Sequence, residues 1–475
     1  MTKPLVALSL GIALALPAVV EAQAPLGEEA ALGRDRITQA QITSGALSTK
    51  DIRKKGMEIF STPFNLLDGW GDGPLDRFEL DKTSPGNRPS IGSEQTHFMR
   101  VNGMDTQSCL ECHSVLSMAT IPATFTVGGA GGINNVAMPG ATEFDVDDSD
   151  GNGFAAYNGR VINPPFVFGA GGVELVGKEM TMELQTQLFA AQFRPDVALP
   201  LQSKGVSFGS IRYDSKTLSY DFSGVEGIDD DLVVKPFGRK GCCATIRAFD
   251  VGALQFHQGM QPTEVVGASI DEDGDGVVDE ILPGELSAMH IFSTALEPPK
   301  RVKGGPVGQQ GSRLFERIGC TDCHVPTLNT DFRMLPIAFP EVDTDPTANV
   351  FYTVDLTDKP TRFPKNNAGG VRVNMYSDLK RHDMGAELAE TTGSDDDALF
   401  ITARLWGVAD TAPYLHDGRA TTLTEAIAQH GGEGLLARDN YLALPAAEQL
   451  KLLSFLRTLR TPKQPSKDIL SSARP

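Results

Sequence analysis

Apolar residues recur at helical spacing most clearly in the last third of the chain. Residues 309–318 place apolar side chains on one face of a predicted helix, and residues 446–459 repeat the pattern. Pro445 is predicted to occupy the first position of the second helix, where its missing amide hydrogen costs nothing. The pattern therefore predicts two amphipathic helices, one at each end of a C-terminal unit.

A further helix between these two is predicted from its ends. Thr422 and Glu425 have the spacing of a capping box, and residues 431–432 are both glycine. The helix should start at Leu423 and stop near His430. His430 is therefore expected to project from the end of a well-defined helix.

The preceding part of the chain has weaker patterns. Residues 245–261 have helical spacing and should form a helix that ends near Gly259. Residues 160–168 and 206–213 alternate or are rich in β-branched side chains, which predicts a minor strand or hairpin component. Residues 297–311 contain paired prolines and several glycines, which is typical of a linker.

A C-x-x-C-H motif occurs twice, and the second copy directly follows the helix predicted over 309–318. Two thiols at this spacing can form thioethers with the vinyl groups of one haem, and the next histidine can bind the iron. A zinc knuckle or a thioredoxin-like pair is the alternative, but the recurrence favours two covalently bound c-type haems. The residues are Cys109, Cys112 and His113 in the first motif, and Cys320, Cys323 and His324 in the second.

Helix, haem motif and closing helix together are the frame of a cytochrome c domain. We therefore predict a mainly α fold with two cytochrome c-like domains, the N-terminal one enlarged by irregular or β insertions. The predicted divisions are a signal peptide over 1–24, an N-terminal haem domain over 25–300 and a C-terminal cytochrome c domain over 301–475.

The N-terminus has the features of a secretory signal. One basic residue, Lys3, precedes an apolar stretch, and small residues at Ala22 and Ala24 fit a cleavage site. An uncleaved anchor is the alternative, although the apolar stretch is shorter than a spanning helix usually needs. The mature protein is expected to be periplasmic or secreted, with no integral membrane segment after cleavage.

The chain is acidic, with 42 Lys and Arg against 61 Asp and Glu and a formal net charge of −19 over 475 residues. This charge argues against nucleic acid and anionic lipid as partners. It suits a small, basic redox protein as electron donor, although solubility alone would also explain it.

Two sets of residues outside the haem motifs could carry chemistry. Cys242 and Cys243 are adjacent and could form a strained disulfide, fill a buried site or react as thiols. Residues 271–279 resemble an EF-hand calcium loop, but position 12 is Leu282 rather than Glu, and Glu280 or Glu285 would have to replace it. An unoccupied acidic turn is the alternative to calcium. The loop carboxylates are Asp271, Asp273, Asp275 and Asp279.

Three stretches besides the first haem motif resemble the bacterial di-haem cytochrome c peroxidase superfamily, and within it the di-haem oxidoreductase branch. They are RLFERIGCTDCHVPTL from Arg313, YSDLKRHDMG from Tyr376 and PYLHDGRATTLTEAIAQHGGE from Pro413. The resemblance is strong over residues 308–461 and looser over 235–301.

The resemblance implies roles for several C-terminal residues. The second axial ligand of the C-terminal haem lies 14 residues beyond His416 in the family pattern, which is His430 here. His416 itself would lie near a haem propionate, and Trp406 would pack against this haem or serve only as core. The family also holds calcium with backbone oxygens that match Thr411 and Pro413, together with an asparagine such as Asn134 or Asn135.

In that superfamily the N-terminal haem meets the oxidant. Many relatives have a distal histidine 16 residues beyond the motif histidine, but this position is Gly129 here. His257 is our first candidate for the distal pocket because its segment resembles one in di-haem rubber oxygenases, although it could be an ordinary helix residue. Glu264 is the candidate acid or base.

The resemblance implies an enzyme in which the His324/His430 haem passes electrons to the His113 haem. Peroxide, oxygen or another small oxidant would be reduced there. One alternative is an oxygenase similar to the rubber-cleaving dioxygenases. The other is an electron-transfer protein in which both irons have two axial ligands.

Overall fold

The computed structural model describes residues 28–33, 35–71, 99–100, 103–104, 107–113, 138–145, 156–390 and 394–463. The predicted signal peptide, Gly129, Asn134 and Asn135 lie outside these residues. The helices in the described part are α1 (Gln39–Thr43), α2 (Thr49–Phe60), α3 (Cys109–Cys112), α4 (Ala170–Ala191), α5 (Ile246–Ala253), α6 (Thr263–Val266), α7 (Pro283–Thr294), α8 (Gly305–Arg317), α9 (Leu423–Ala428), α10 (Leu435–Leu442) and α11 (Ala446–Leu456).

Short antiparallel strands accompany these helices. The strands are β1 (Met99–Arg100), β2 (Gly103–Met104), β3 (Met138–Asp145), β4 (Ala156–Ile162), β5 (Leu199–Ser203), β6 (Val206–Asp214), β7 (Ser219–Asp221), β8 (Lys300–Arg301), β9 (Leu328–Asn329), β10 (Met334–Ala338), β11 (Val350–Asp355), β12 (Arg372–Val373), β13 (Arg381–Asp383), β14 (Leu399–Ile401) and β15 (Leu459–Arg460). The largest described sheet has the order β1-β2-β3-β4, a second has the order β5-β6-β7, and the others are pairs: β8 with β15, β9 with β12, β10 with β11 and β13 with β14.

The helix α4 was missed by the sequence prediction, which expected strands or hairpins in this region. Its first three turns are buried almost all round, from Ala170 to Thr181. A helix that is buried on all sides lacks the polar face that produces helical periodicity. The predicted strand over 206–213 is confirmed as β6.

Buried charges join α4 to α7 and β10. The carboxylate of Glu174 accepts hydrogen bonds from Lys178 at 2.9 Å and from His290 at 2.8 Å. The Lys178 ammonium also donates to the carbonyl of Pro336 at 2.7 Å. The largest hydrophobic cluster among the described residues also includes side chains on both sides of the predicted boundary at 301, and the boundary itself stays a prediction.

The helix α8 packs on α11 and forms a smaller C-terminal core. The rings of Phe315 and Phe455 lie 5.3 Å apart between the two helices. The helix starts at Gly305, so half of the predicted linker over 297–311 is helical, and β8 is held by pairing with β15. The predicted closing helix is confirmed as α11, but Pro445 is its N-cap rather than its first residue.

The close approach of α8 and α11 leads to a stability prediction. A Cβ added at Gly311 would lie 1.9 Å from the carbonyl oxygen of Lys451, a backbone atom that cannot move alone. We expect Gly311→Ala to lower the free energy of unfolding by on the order of 1–3 kcal/mol, measured by urea denaturation. Gly308→Ala on the same helix is the control, because its Cβ would meet its nearest atom at 3.5 Å. That variant should gain about 0.5–1 kcal/mol, and equal effects of both changes would contradict the prediction.

Candidate haem-binding sites

The helix α8 ends just before Gly319, and the second C-x-x-C-H motif begins at the residue after this glycine. This glycine has φ +92°, and a single 3₁₀ turn, Cys320–Asp322, follows it. The His324 ring packs 6.3 Å from the ring of Phe315 on α8. Its Nδ1 lies 3.1 Å from the carbonyl oxygen of Tyr376, which can only accept a hydrogen bond. The Nδ1 therefore carries the proton, and the lone pair of Nε2 is left for a metal.

His430 has the same arrangement on the facing side. Its Nδ1 donates to the carbonyl of Ala426 at 2.8 Å, in the last turn of α9. The ring centroids of His324 and His430 are 6.4 Å apart. Two imidazoles that share one metal, each with a bond of about 2 Å, would have ring centres roughly 6 Å apart. The two histidines therefore fit the axial ligands of one haem iron.

Burial keeps both rings neutral, as ligands must be. Desolvation, followed by the nearby His430, lowers the pKa of His324 to about 4. Desolvation also lowers the pKa of His430. Burial raises the pKa of the Cys320 thiol to about 12.

His382 links two of the stretches that resemble the family, the one that begins at Tyr376 and the one that begins at Pro413. Its ring bonds Asp378 at 2.9 Å and Glu433 at 2.7 Å, so both nitrogens are needed as donors. Burial lowers the pKa of His382, but hydrogen bonds to Asp378, Cys323 and Glu433 outweigh it and raise the pKa to about 11. The His382 ring thus holds Glu433, three residues beyond His430, in place.

In the first motif, Cys109–Cys112 form the short helix α3 and His113 follows as its C-cap. The Nδ1 of His113 donates to the carbonyl of Pro165 at 2.7 Å, which again leaves Nε2 for a metal. The ring of Phe249 on α5 lies 6.5 Å from the His113 ring and edge-on to it at 80°. Phenylalanine offers no ligand atom, whereas the ring that faces His324 belongs to another histidine.

Two polar groups near this motif have unused hydrogen-bonding capacity. Asp250 follows Phe249 on α5, and its Oδ2 is buried without a partner among the described residues. Burial raises the pKa of Asp250 well above its ordinary value, against the opposing charge of Arg247. Gln258 donates to the Cys109 sulfur at 3.9 Å, while its buried Oε1 has no described partner. Unsatisfied buried groups of this kind fit a site that a bound group completes.

The two predicted pocket residues, His257 and Glu264, have different surroundings. His257 lies in a π-helical turn, Leu254–Gln258, which continues α5 up to Gly259. Single π turns inside helices occur often at functional sites. Glu264 is held by Arg247 in an ion pair, and Arg247 is itself buried. Catalytic roles for His257 and Glu264 stay predictions, but Asp250 is the carboxyl beside the motif and was missed.

Trp406 lies between the segments that position the two motif histidines. It is buried, and its ring packs so closely on Gly169 that a Cβ there would lie 2.7 Å from a ring carbon. Gly169 is four residues beyond Pro165, the acceptor for His113. On the other side, Leu405 bonds the carbonyl of Met375 at 3.0 Å, next to the acceptor for His324.

His416 lies at the junction of the two regions. Its ring stacks on Phe400 at 4.4 Å, and burial lowers its pKa. Asn163 donates from Nδ2 to the carbonyls of Pro413 and Leu415, both at 2.9 Å, and its buried Oδ1 has no described partner. Calcium is bound by oxygens, so the amide would bind it with Oδ1 turned towards these carbonyls in place of Nδ2. Asn163 is therefore a further candidate ligand beside Thr411 and Pro413.

The acidic loop brings three carboxylates together. Ligand atoms of Asp271, Asp273 and Asp275 lie within 4.8 Å of one another. Asp271 accepts hydrogen bonds from two amides of its own loop, at 2.7 and 3.0 Å. Asp279 accepts from the amide of Ser269 at 2.8 Å. Calcium binding by these residues stays a prediction.

Neither glutamate that could replace the twelfth loop residue points to this cluster. Glu280 accepts from the amide of Gln261 at 2.6 Å, and Glu285 pairs with Arg36. Any calcium in the loop would therefore rely on the three clustered aspartates, other loop oxygens and water.

Residues 345–459 match the family "Di-haem oxidoreductase, putative peroxidase". The chain is 34% identical over 155 residues to cytochrome-c peroxidase IdrP2 of Pseudomonas sp. (strain SCT). That similarity covers 32% of this chain and 39% of the relative, so the chain matches well under half of the relative's length.

Two solved structures show weaker similarity. A MauG-like protein associated with microbial copper homeostasis is 17% identical, covers 61% of this chain and 87% of its own, and has a TM-score of 0.25. Hydrazine synthase of Kuenenia stuttgartiensis is 18% identical, covers 37% and 55%, and has a TM-score of 0.21. Scores of this size do not define a common fold.

Within the described residues, we find no helix with the length and apolar character needed to cross a bilayer.

Proposed function

We propose that this chain, whose residues 345–459 match the di-haem oxidoreductase family, is a haem-dependent, peroxidase-like oxidoreductase with two covalently bound c-type haems. The observation that carries the proposal is the difference between the two motif histidines. His324 faces His430 at the spacing of two axial ligands, whereas the ring beside His113 is that of Phe249, which offers no ligand atom. The second site would therefore hold electrons and the first would meet the oxidant.

At the second site, His324 and His430 would occupy both axial positions, and Cys320 and Cys323 would carry the thioethers. The haem supplies one-electron redox chemistry when it is bound. The hydrogen bonds to Tyr376 and Ala426 orient the rings and increase their basicity as ligands. With both positions filled, this site would pass electrons without binding peroxide.

At the first site, His113 would be the proximal ligand and Asp250 would supply a proton. Reduction of a hydroperoxide to an alcohol and water consumes two electrons and two protons. Burial raises the pKa of Asp250 and so favours its protonated form, and its Oδ2, unpartnered among the described residues, can exchange a hydrogen bond with a substrate oxygen. Gln258, held against Cys109, would orient that oxygen through its amide.

Trp406 would provide the route between the two sites. It packs on Gly169 near the segment that positions His113, and Leu405 bonds the segment that positions His324. A large buried aromatic ring between two redox centres shortens the gap that an electron must cross.

The electron donor, the location of the protein and a bound calcium ion can also be proposed. The net charge of −19 supports a small basic redox protein as electron donor and argues against nucleic acid. Covalent c-type haems and the signal-like N-terminus support a periplasmic or secreted location. Calcium beside Asn163, Thr411 and Pro413 would fix the junction where the two haem regions meet.

Spectroscopy of the isolated protein tests the proposal. We expect one low-spin haem from His324 and His430, and a second haem whose optical and electron paramagnetic spectra change when hydrogen peroxide is added. Two low-spin haems that do not respond to peroxide would indicate an electron-transfer protein and would contradict the proposal. A stable spectral change with dioxygen after reduction, without a response to peroxide, would instead favour an oxygenase.

A further inference from the structure

Cys242 and Cys243 are the cysteines that lie outside both haem motifs, and their sulfur atoms almost touch. The two Sγ atoms are 2.9 Å apart, and neither is in a disulfide. This separation is shorter than a normal contact between two sulfurs but longer than a disulfide bond. The pair is therefore in position to react with itself.

A tight turn holds both sulfurs together. The amides of Cys242 and Cys243 both donate to the carbonyl of Phe237, at 2.9 and 3.4 Å. Gly238 leaves the space for the Cys242 sulfur, since a Cβ on this residue would lie 2.5 Å from it. The turn is anchored by Lys240, which donates to the carbonyls of Asp396 and Asp397. The closeness of the thiols thus depends on the backbone and not on a bond between them.

The two thiols have different surroundings. Cys242 is exposed, whereas Cys243 packs against the main core. The hydrogen bond with Cys243, aided by the charges of Arg239 and Lys235 and opposed by burial, lowers the pKa of Cys242 to about 7. The same hydrogen bond, with burial, raises the pKa of Cys243. Cys242 is therefore the thiolate that solvent reaches, and Cys243 is the protonated partner beside it.

We propose that Cys242 and Cys243 form a second, haem-independent site for hydroperoxides, in which the dithiol is oxidised to a vicinal disulfide. The Cys242 thiolate attacks the terminal peroxide oxygen, the O–O bond breaks, and an alcohol or water leaves with a proton. Cys243 then attacks the resulting sulfenic acid, its thiol proton leaves with the hydroxyl group as water, and the S–S bond forms. The pair loses two electrons and two hydrogens, which the peroxide takes up.

This site goes beyond the proposed haem chemistry and could exist without it. A disulfide between adjacent residues closes a small, strained ring, so external thiols should reduce it readily. The oxidation is therefore expected to be reversible. The turn leads into Thr245, the N-cap of α5, which carries Phe249 and Asp250 beside the first haem motif.

Mass spectrometry can measure the oxidation state of both cysteines on a single tryptic peptide. Trypsin cleaves after Lys240 and Arg247, so both cysteines fall on one peptide, residues 241–247. The reduced holoprotein would be treated with hydrogen peroxide, alkylated under denaturing conditions and digested. We expect the doubly alkylated peptide to fall at least about tenfold and to be replaced by an unalkylated peptide about 2 Da lighter than the dithiol form. Treatment with dithiothreitol before alkylation should restore the doubly alkylated peptide.

Single cysteine variants distinguish the roles of the two thiols. In Cys243→Ser, the Cys242 sulfenic acid should persist and be trapped by dimedone. In Cys242→Ser, Cys243 should stay alkylatable after the same treatment. Full alkylation of the wild-type peptide after peroxide, or dimedone trapping on Cys243 in Cys242→Ser at the rate seen for Cys242, would overturn the proposal.

Oxidation of an electron donor, measured on the same wild-type sample, reports the haem reaction separately. A sample that forms the disulfide without turning over the donor would contradict the proposed function alone. The reverse result would contradict the dithiol site alone.

Discussion

Replacement of Asp250 by Asn is expected to lower the rate of peroxide turnover by about 10²–10⁴-fold, the range typical for loss of a general acid. The variant keeps the shape of the side chain but cannot hold an exchangeable acidic proton. Both haems should stay attached, because neither motif is changed. Steady-state oxidation of a reduced donor by peroxide measures the effect, and haem absorbance measures the attachment.

The pH dependence separates this role from a structural one. Since burial raises the pKa of Asp250, wild-type activity should persist above the ordinary pKa of a carboxyl group and fall as the pH rises through the native pKa. That fall should be absent from the residual activity of Asp250→Asn. Asp230→Asn is the matched control, because it makes the same charge change at an exposed residue and should leave turnover unchanged.

Stability should change in the opposite direction from activity. The native state binds the Asp250 proton more tightly than the unfolded chain, whose pKa is about 4. Stability conferred by the wild-type residue therefore declines as the pH rises from that value towards the native pKa. At neutral pH, Asp250→Asn should be as stable as the wild type or more stable. A large loss of stability together with lost activity would indicate a folding role instead.

Replacement of His430 by Met is expected to keep the second haem low-spin and to raise its midpoint potential. A thioether ligand favours the reduced iron more than an imidazole does. The increase should be on the order of 0.1–0.2 V, part of the roughly 0.8 V that axial ligands span. Potentiometric titration with optical detection measures it. Transfer of electrons towards the His113 site should slow, because the donor haem becomes a weaker reductant.

A second His→Met change provides the control. His416 stacks on Phe400 and was assigned no ligand role, so His416→Met should leave the haem low-spin with a clearly smaller change in potential. An unchanged spectrum and potential in His430→Met would show that His430 is not the axial ligand. A high-spin spectrum would show that the loop after α9 cannot bring a thioether to the iron.

The sequence predicted those features that depend on local order in the chain. The capping box of α9 is present as predicted, with Thr422 accepting from the amide of Glu425. His430, found by counting from His416, faces His324 in the structure. Local signals were sufficient here because helix caps and motif spacings depend only on residues that are close together in the sequence.

The features that were missed depend on contacts between distant segments. Asp250 looks like an ordinary helix residue until α5 is placed beside the first haem motif. Asn163 became a candidate only when its amide was found on the carbonyls of Pro413 and Leu415, about 250 residues away. His382 had no derivable role before Asp378 and Glu433 were seen on its two sides. No periodicity or local motif records such pairings.

The core shared across residue 301 has a consequence for separating the two halves of the chain. Leu335, Ile337 and Val371 are fully buried in the same cluster as Leu175 on α4. A C-terminal half expressed alone would expose these side chains, and the N-terminal half would lose its cover. Substitutions on the two sides are therefore expected to have non-additive effects on stability. Neither half should be as stable alone as it is within the whole chain.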